Sequence, residues 1–246
     1  MTAPIRRLLL VLILGLAAAL PASAEDVAPA DQAAFEARVR AYLLAHPEVI
    51  VEALNELEKR QQAEAEIKQK QTIVDQRDSL YSSTGDPVAG NPDGAVTVVE
   101  FFDYRCPYCK AVARDMIETL EAEGDVRIVF KEFPILGPDS QIAAKAALAA
   151  DRQDKYLPFH QALMDHKGAL DRDTILDIAE GVGLDLELLE VDMESPEVAT
   201  IIARTLALAE ALDIGGTPAF IIGDALVPGA VDMKTLKDLV AKARNG

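Results

Sequence analysis

Both cysteines of this 246-residue chain fall in one short stretch, Phe101-Phe102-Asp103-Tyr104-Arg105-Cys106-Pro107-Tyr108-Cys109-Lys110. Two thiols at that spacing can exchange a disulfide or hold a soft metal ion. Val96 to Phe102, just before them, is rich in β-branched and aromatic residues and reads as a buried strand. Ala111 to Leu120, just after them, has helix formers and an apolar stripe at Val112, Met116, Ile117 and Leu120. The pair therefore stands where a strand feeds a helix. Cys106 takes the helix N-terminus, where unpaired backbone N–H groups and the helix dipole favour a thiolate. Redox chemistry is the first expectation.

The first residues say where that chemistry would happen. Arg6-Arg7, an apolar run from Leu8 to Leu20, and Pro21-Ala22-Ser23-Ala24 are the parts of a secretory signal peptide spanning 1–24. The run is shorter than the ~20 residues a membrane-spanning helix needs; an uncleaved anchor is the alternative. Export to the periplasm puts the cysteines in an oxidising space, where two thiols should pair. A bridge closing so small a loop removes little chain entropy, so the pair reads as a working dithiol and not a brace. As a zinc site it supplies two ligands and no second cysteine pair, so neither a metal nor another cofactor is expected. The formal charge of −17 becomes about −19 once Arg6 and Arg7 are removed, which argues against nucleic acid or anionic lipid as a partner.

The rest of the chain must position the dithiol. Helical periodicity starts near Asp31 and runs through Phe35, Val39, Tyr42 and Leu43. His46-Pro47 breaks it, and a second helix carries Val49, Ile50, Ala53, Leu54 and Leu57 on one face. From Glu58 to Gln71 only Ile67 is large and apolar, and Glu56/Arg60, Glu64/Lys68 and Glu66/Lys70 are i,i+4 pairs. Residues 25–83 thus read as an apolar helical segment that self-associates, followed by a charged linker helix. Packing of those helices back on the main domain is the alternative. Turn clusters at Ser82–Pro87 and Gly90–Gly94 place a domain boundary near 82–90.

Beyond it come the Val96 strand, the cysteine helix and a second strand from Val126 to Lys131, a βαβ unit with a parallel pair. Residues from about 139 to 213 hold four helical stretches and no convincing strand, a helical block inserted in an α/β frame. Gly215-Gly216-Thr217-Pro218 resumes the frame. Ala219 to Ile222, a Gly223-Asp224 turn and Ala225 to Val227 follow as a hairpin, and Met233 to Ala243 forms a closing helix.

This order of motifs resembles a thioredoxin fold, and more closely the DsbA-like exported thiol–disulfide oxidoreductases. Cys106-Pro107-Tyr108-Cys109 after Glu100-Phe101-Phe102 is similar to their active-site block, and Gly216-Thr217-Pro218 to their cis-proline loop. The resemblance covers about 84–246, the expected catalytic domain. The N-terminal helices resemble those of ScsC-type and Com1-like members, which are oligomeric. Arg105 stands where thioredoxin has Trp, and Tyr108 where DsbA itself usually has histidine.

Each candidate residue then has an expected role. Cys106 is the nucleophile, with the positive charge of Arg105 beside it, and Cys109 resolves the mixed disulfide. Pro107 and Tyr108 shape the helix start, since Pro107 donates no N–H. The resemblance implies that Pro218 is cis and exposes the backbone of Thr217 to a substrate chain. Glu100, on the strand beneath, would relay protons to Cys109, with Lys131 either its partner or a solvated strand end. His46, His160 and His166 have no ligand spacing. The implied activity is disulfide isomerisation or reduction on cysteine-containing proteins by a homo-oligomer kept reduced by a membrane reductase of the DsbD/ScsB type. A monomeric dithiol oxidase served by a DsbB-like enzyme is the alternative within the family. A Cu(I)-binding copper-tolerance protein is the alternative outside it.

Overall fold

The computed structural model describes residues 29–82 and 84–245; the expected signal peptide lies outside them. Two helices lead, α1 (Pro29–Ala45) and α2 (Glu48–Asp75), followed by a short α3 (Arg77–Tyr81). The break between α1 and α2 falls at His46-Pro47, as proline chemistry requires. Helix α1 starts before Asp31, which lies in its first turn. Phe35, Val39, Tyr42, Leu44, Ile50, Val51, Leu54 and Leu57 are all exposed on these helices.

The chain divides into two compact units, one up to Arg60 and one from Gln61 onward. The second unit starts well before the turn cluster at 82–90. The reason is apolar: Ile73 and Leu80 are buried in the same cluster as Val99, Phe101 and Ile221. A tally of charges along the linker helix hides two anchors that sit beyond its polar stretch.

Within this unit, β1 (Val88–Gly90), β2 (Val96–Phe102), β3 (Val126–Glu132), β4 (Ala219–Ile222) and β5 (Ala225–Pro228) form one sheet in the order β1-β3-β2-β4-β5. The β2/β3 pair is parallel, as a βαβ connection dictates, and the other three pairs are antiparallel. Strand β1 lies between the two turn clusters and takes in Gly90, the first residue of the second. Its Gly90 permits the pairing, because a Cβ there would stand 2.5 Å from the Val126 carbonyl oxygen. The turn is confined to Asn91–Gly94, where Asn91 Oδ1 accepts from Asp93 N at 3.0 Å.

Helix α4 (Pro107–Ala122) carries the cysteines and packs on one face of the sheet with α10 (Met233–Arg244). Its buried stripe is Cys109, Ala113, Met116, Ile117 and Leu120, and each large side chain there contributes about 2 kcal/mol of burial. Between β3 and β4 lie α5 (Pro138–Asp151), α6 (Tyr156–Asp165), α7 (Arg172–Gly181), α8 (Leu186–Met193) and α9 (Pro196–Ala211), the expected helical insertion. Asp171, Asp185 and Ser195 cap α7, α8 and α9, each accepting from a backbone N–H of the first turn. Gly223, at φ 62°, supplies the left-handed residue of the β4–β5 turn. The architecture is the expected α/β fold: a mixed sheet with helices on both faces, a helical insertion and leading helices.

Candidate active site

Strand β2 ends at Phe102, and four residues carry the chain to the start of α4. Cys106 occupies the N-cap of that helix with extended backbone, Pro107 follows in its first turn, and Cys106 N donates to the Asp103 carbonyl at 3.0 Å. Both cysteines are free thiols. Cys109 is fully enclosed, one turn in. Cys106, at the helix start, is only 4% accessible and lies against the Thr217-Pro218 loop. Its Sγ–H donates to the Thr217 carbonyl at 3.2 Å, and the Thr217–Pro218 peptide is cis. Two segments more than a hundred residues apart in sequence thus meet at one sulfur. Tyr108, 66% accessible, is the exposed aromatic between the cysteines.

The Arg105 side chain, expected to set its charge beside the thiol, is engaged elsewhere. Its Nη1 donates to the Leu136 carbonyl at 2.6 Å and lies 3.9 Å from Asp139 Oδ2, so the guanidinium is tied to the loop after β3. Asp103 makes a tighter tie. This buried carboxylate accepts from Arg105 N (2.7 Å) and Ser140 Oγ (2.8 Å) on Oδ1, and from Ile135 N (2.9 Å) and Leu136 N (3.0 Å) on Oδ2. Three of these four donors come from the loop after β3 and the first turn of α5, so the carboxylate fixes the cysteine segment against both. Sequence reasoning missed Asp103. A short acid directly before a strand-to-helix junction was the available signal.

Lys110 was also missed. Its Nζ donates to the carbonyls of Leu163 (2.8 Å) and His166 (2.8 Å) at the C-terminal end of α6, holding the cysteine helix to the insertion. Burial lowers its pKa.

Glu100 lies in the sheet beneath α4, on the same face as Val98 and Phe102. It is fully buried, and neither carboxylate oxygen has a hydrogen-bond partner among the described residues. Burial pushes its pKa up to about 8. Burial, and then the nearby Glu100 charge, push the Cys109 thiol well above its ordinary range. Lys131, a possible partner for Glu100, points to the opposite face and is itself buried. Its Nζ pairs with Asp86 and donates to the Ser79 carbonyl at 2.7 Å. The register explains the separation: Glu100 pairs with Phe130 and Phe101 with Lys131, so the two side chains alternate to opposite sides.

A further polar group under the site went unread in the sequence. Tyr104, Glu132, Tyr156 and His160 are all buried and hydrogen-bonded together. His160 packs against Phe102 and Phe130, and burial lowers its pKa to about 3. His160 is therefore a neutral core histidine. No cluster of three or more His, Cys, Asp or Glu able to hold a metal occurs among the described residues.

Comparisons with known proteins place the chain in a family. Residues 97–241 match the model of the DSBA-like thioredoxin domain, and residues 31–64 match the model of the copper resistance protein ScsC N-terminal domain. A thioredoxin-like oxidoreductase of Silicibacter pomeroyi is 50% identical with a TM-score of 0.68, covering 69% of this chain and 98% of that one. The thiol-disulfide exchange protein alpha-DsbA2 of Wolbachia pipientis is 34% identical with a TM-score of 0.69, covering 73% and 97%. Among curated relatives, a Na(+)/H(+) antiporter NhaA of Herminiimonas arsenicoxydans is 32% identical over 65% of this chain and 26% of its own length. The chain spans about a quarter of the length of the first curated relatives it matches.

Proposed function

The chain belongs to the DSBA-like thioredoxin domain family, and on that premise we propose that it is a periplasmic thiol–disulfide oxidoreductase acting on cysteine-containing proteins, working as an oligomeric isomerase or reductase. One observation carries this reading: the Cys106 sulfur stands 3.2 Å from the Thr217 carbonyl, with Cys109 and an unpartnered acid, Glu100, directly behind it.

The steps follow from that arrangement. The Cys106 thiolate attacks one sulfur of a substrate disulfide, forms a mixed disulfide and expels the other sulfur as a thiolate. Cys109 gives its proton to the Glu100 carboxylate and attacks Cys106 Sγ. The Cys106–Cys109 disulfide forms and the second substrate thiolate leaves, so two electrons pass from the dithiol to the substrate. Isomerisation results when the first expelled thiolate attacks a second disulfide of the substrate and the thiolate displaced there attacks the substrate sulfur held by Cys106, which leaves as the thiolate. Arg105, Pro107, Tyr108, Thr217 and Pro218 form the rim on which the substrate chain lies. Net reduction consumes the dithiol, which a membrane reductase would restore.

The exposed apolar residues of α1 and the first half of α2 support oligomerisation, and so does the match of 31–64 to the ScsC N-terminal domain. No helix among the described residues is long and apolar enough to cross a membrane. The same match favours a second reading, Cu(I) held by the two free thiols.

Reactivation of scrambled, disulfide-rich ribonuclease tests the proposal, comparing the chain from Glu25 with a version from Gln61, where the compact unit begins. The longer chain is expected to be oligomeric in solution mass and to unscramble the ribonuclease, and the shorter to be monomeric and to do so poorly. A monomeric long chain that only oxidises reduced peptide makes the protein an oxidase. Tight Cu(I) binding with no thiol exchange in either version replaces the redox reading with a metal carrier.

A further inference from the structure

Behind the dithiol runs a buried polar chain that the exchange steps do not use. Tyr104 Oη lies 3.0 Å from Glu132 Oε1 and 3.0 Å from His160 Nδ1, and Tyr156 Oη donates to the same Glu132 oxygen at 2.9 Å. All four residues are buried. Tyr104 belongs to the segment that delivers Cys106, two residues before the sulfur. Whatever fixes Tyr104 therefore helps fix the nucleophile.

Glu132 also shares a sheet face with Glu100. Phe102 pairs with Glu132 and Glu100 with Phe130, so the two acids are diagonal neighbours on adjacent strands, and the Glu100 charge acts on Glu132. Both are buried beneath α4 and α6. The groups that act most on Glu132 are Tyr156 from α6, Tyr104 and Asp103 from the cysteine segment, and Glu100 from β2; none is a cation. Cys109 of α4 faces Glu100, and His160 of α6 closes the chain as a neutral ring. Two carboxylates buried on one sheet face, with no cation acting on either among the described residues, repel, so one of them keeps its proton.

The hydrogen bonds accommodate that proton at Glu132. With Glu132 neutral, its O–H donates to Tyr104, the Tyr104 O–H donates to His160 Nδ1, and Tyr156 still donates to Glu132. Every hydroxyl has an acceptor, over the same 3.0 Å spacings. Glu100 has no such partners. We propose that Glu132 is a positioning residue that keeps its proton throughout the working range, anchoring Tyr104 and the Cys106 segment as a neutral acid and leaving Glu100 as the buried carboxyl that ionises. Burial acts in the same direction, raising Glu132 well above the ordinary carboxylate range against the opposing pull of its two tyrosine bonds.

This inference rests on Glu100 being the proton acceptor for Cys109, and the test separates the two claims. The full chain is loaded with a peptide as a mixed disulfide on Cys106, and the release rate is followed against pH. Wild type should show an inflection at about 8 from Glu100. Glu100→Gln should abolish it; an inflection that survives there overturns the role of Glu100. Glu132→Gln should leave the inflection in place, because an uncharged group has replaced an uncharged one. A downward move of about one unit, tenfold in proton affinity, means that Glu132 was charged and overturns the inference.

Infrared spectra of the reduced protein above the inflection supply a direct readout. A protonated-carboxyl stretch should persist in wild type and in Glu100→Gln and vanish in Glu132→Gln. If Glu132→Gln fails to fold, the Glu100→Gln spectrum decides alone, since its absence of that band overturns the proposal. Anchoring is tested by equilibrium with glutathione: Tyr104→Phe should shift it about fivefold, and Tyr156→Phe, on α6 and one step further from Cys106, less. Equal shifts overturn the anchoring.

Discussion

Residues 131 and 132 are neighbours on β3, yet they belong to two different kinds of interior. On the face away from the cysteines, Lys131 pairs with Asp86, Arg204 lies 3.5 Å from the same carboxylate and donates to the Thr84 carbonyl at 2.7 Å, and Arg127 donates to the Tyr81 carbonyl at 2.7 Å. Buried charge there is matched by opposite charge, and the result is a clamp holding Ser79, Tyr81, Thr84 and Asp86. On the cysteine face, Glu100 and Glu132 are buried with no cation, and their ionisation is opposed. A matched pair gives up the ability to change charge, whereas an unmatched acid keeps it. Under a thiol that must lose a proton, an unmatched acid is the useful kind.

The largest expected effect breaks the matched side. Lys131→Met leaves Asp86 buried with only the more distant Arg204, and should lower stability by about 3–5 kcal/mol in urea unfolding. Exchange by the molecules that remain folded should persist, because Lys131 lies on the far face. A smaller loss is expected from Asp103→Ala, which leaves the N–H groups of Arg105, Ile135 and Leu136 unpaired beside the cysteine segment. That change should cost about 2–3 kcal/mol and slow exchange as well.

The unmatched side should reveal itself through pH. Glu100 holds its proton in the folded state up to about 8 and releases it near 4.5 when unfolded, so the folded protein binds more protons between those values. Stability contributed by neutral Glu100 is full below 4.5 and is lost as pH rises toward 8. Relative to Glu100→Gln, wild type should lose on the order of 1 kcal/mol per pH unit across that window. His160 runs the other way. Its folded pKa of about 3 against 6.5 unfolded means stability is full above 6.5 and is lost as pH falls toward 3. Relative to His160→Asn, wild type should weaken over that lower window. The smallest effect belongs to the exposed Glu56–Arg60 pair of α2, where Glu56→Ala should change helix stability by about 0.3 kcal/mol, read by thermal circular dichroism.

The same contrast explains what the sequence made legible. Cys106-Pro107-Tyr108-Cys109 and Gly216-Thr217-Pro218 carry their chemistry in residue type and local order, and the βαβ unit, the insertion and the hairpin follow from periodicity and turn residues. Glu100 was legible because an acid interrupts an apolar strand. Asp103, Lys110, Tyr104, Tyr156 and His160 were not, because each takes a partner from another element, 24 to 56 residues away. The facing of Lys131 depended on register, which places it opposite Phe101 and turns it from Glu100. Ile73 and Leu80 were hidden by the charged stretch that precedes them, so the catalytic unit begins earlier than composition suggests.

The central claim, that Cys106 attacks and Cys109 resolves, is tested most directly by trapping. Cys109→Ser incubated with a disulfide-linked peptide should accumulate one peptide per chain on Cys106, seen by mass spectrometry, while wild type releases it. If Cys109→Ser holds no peptide, or if Cys106→Ser still exchanges disulfides, the assignment is wrong.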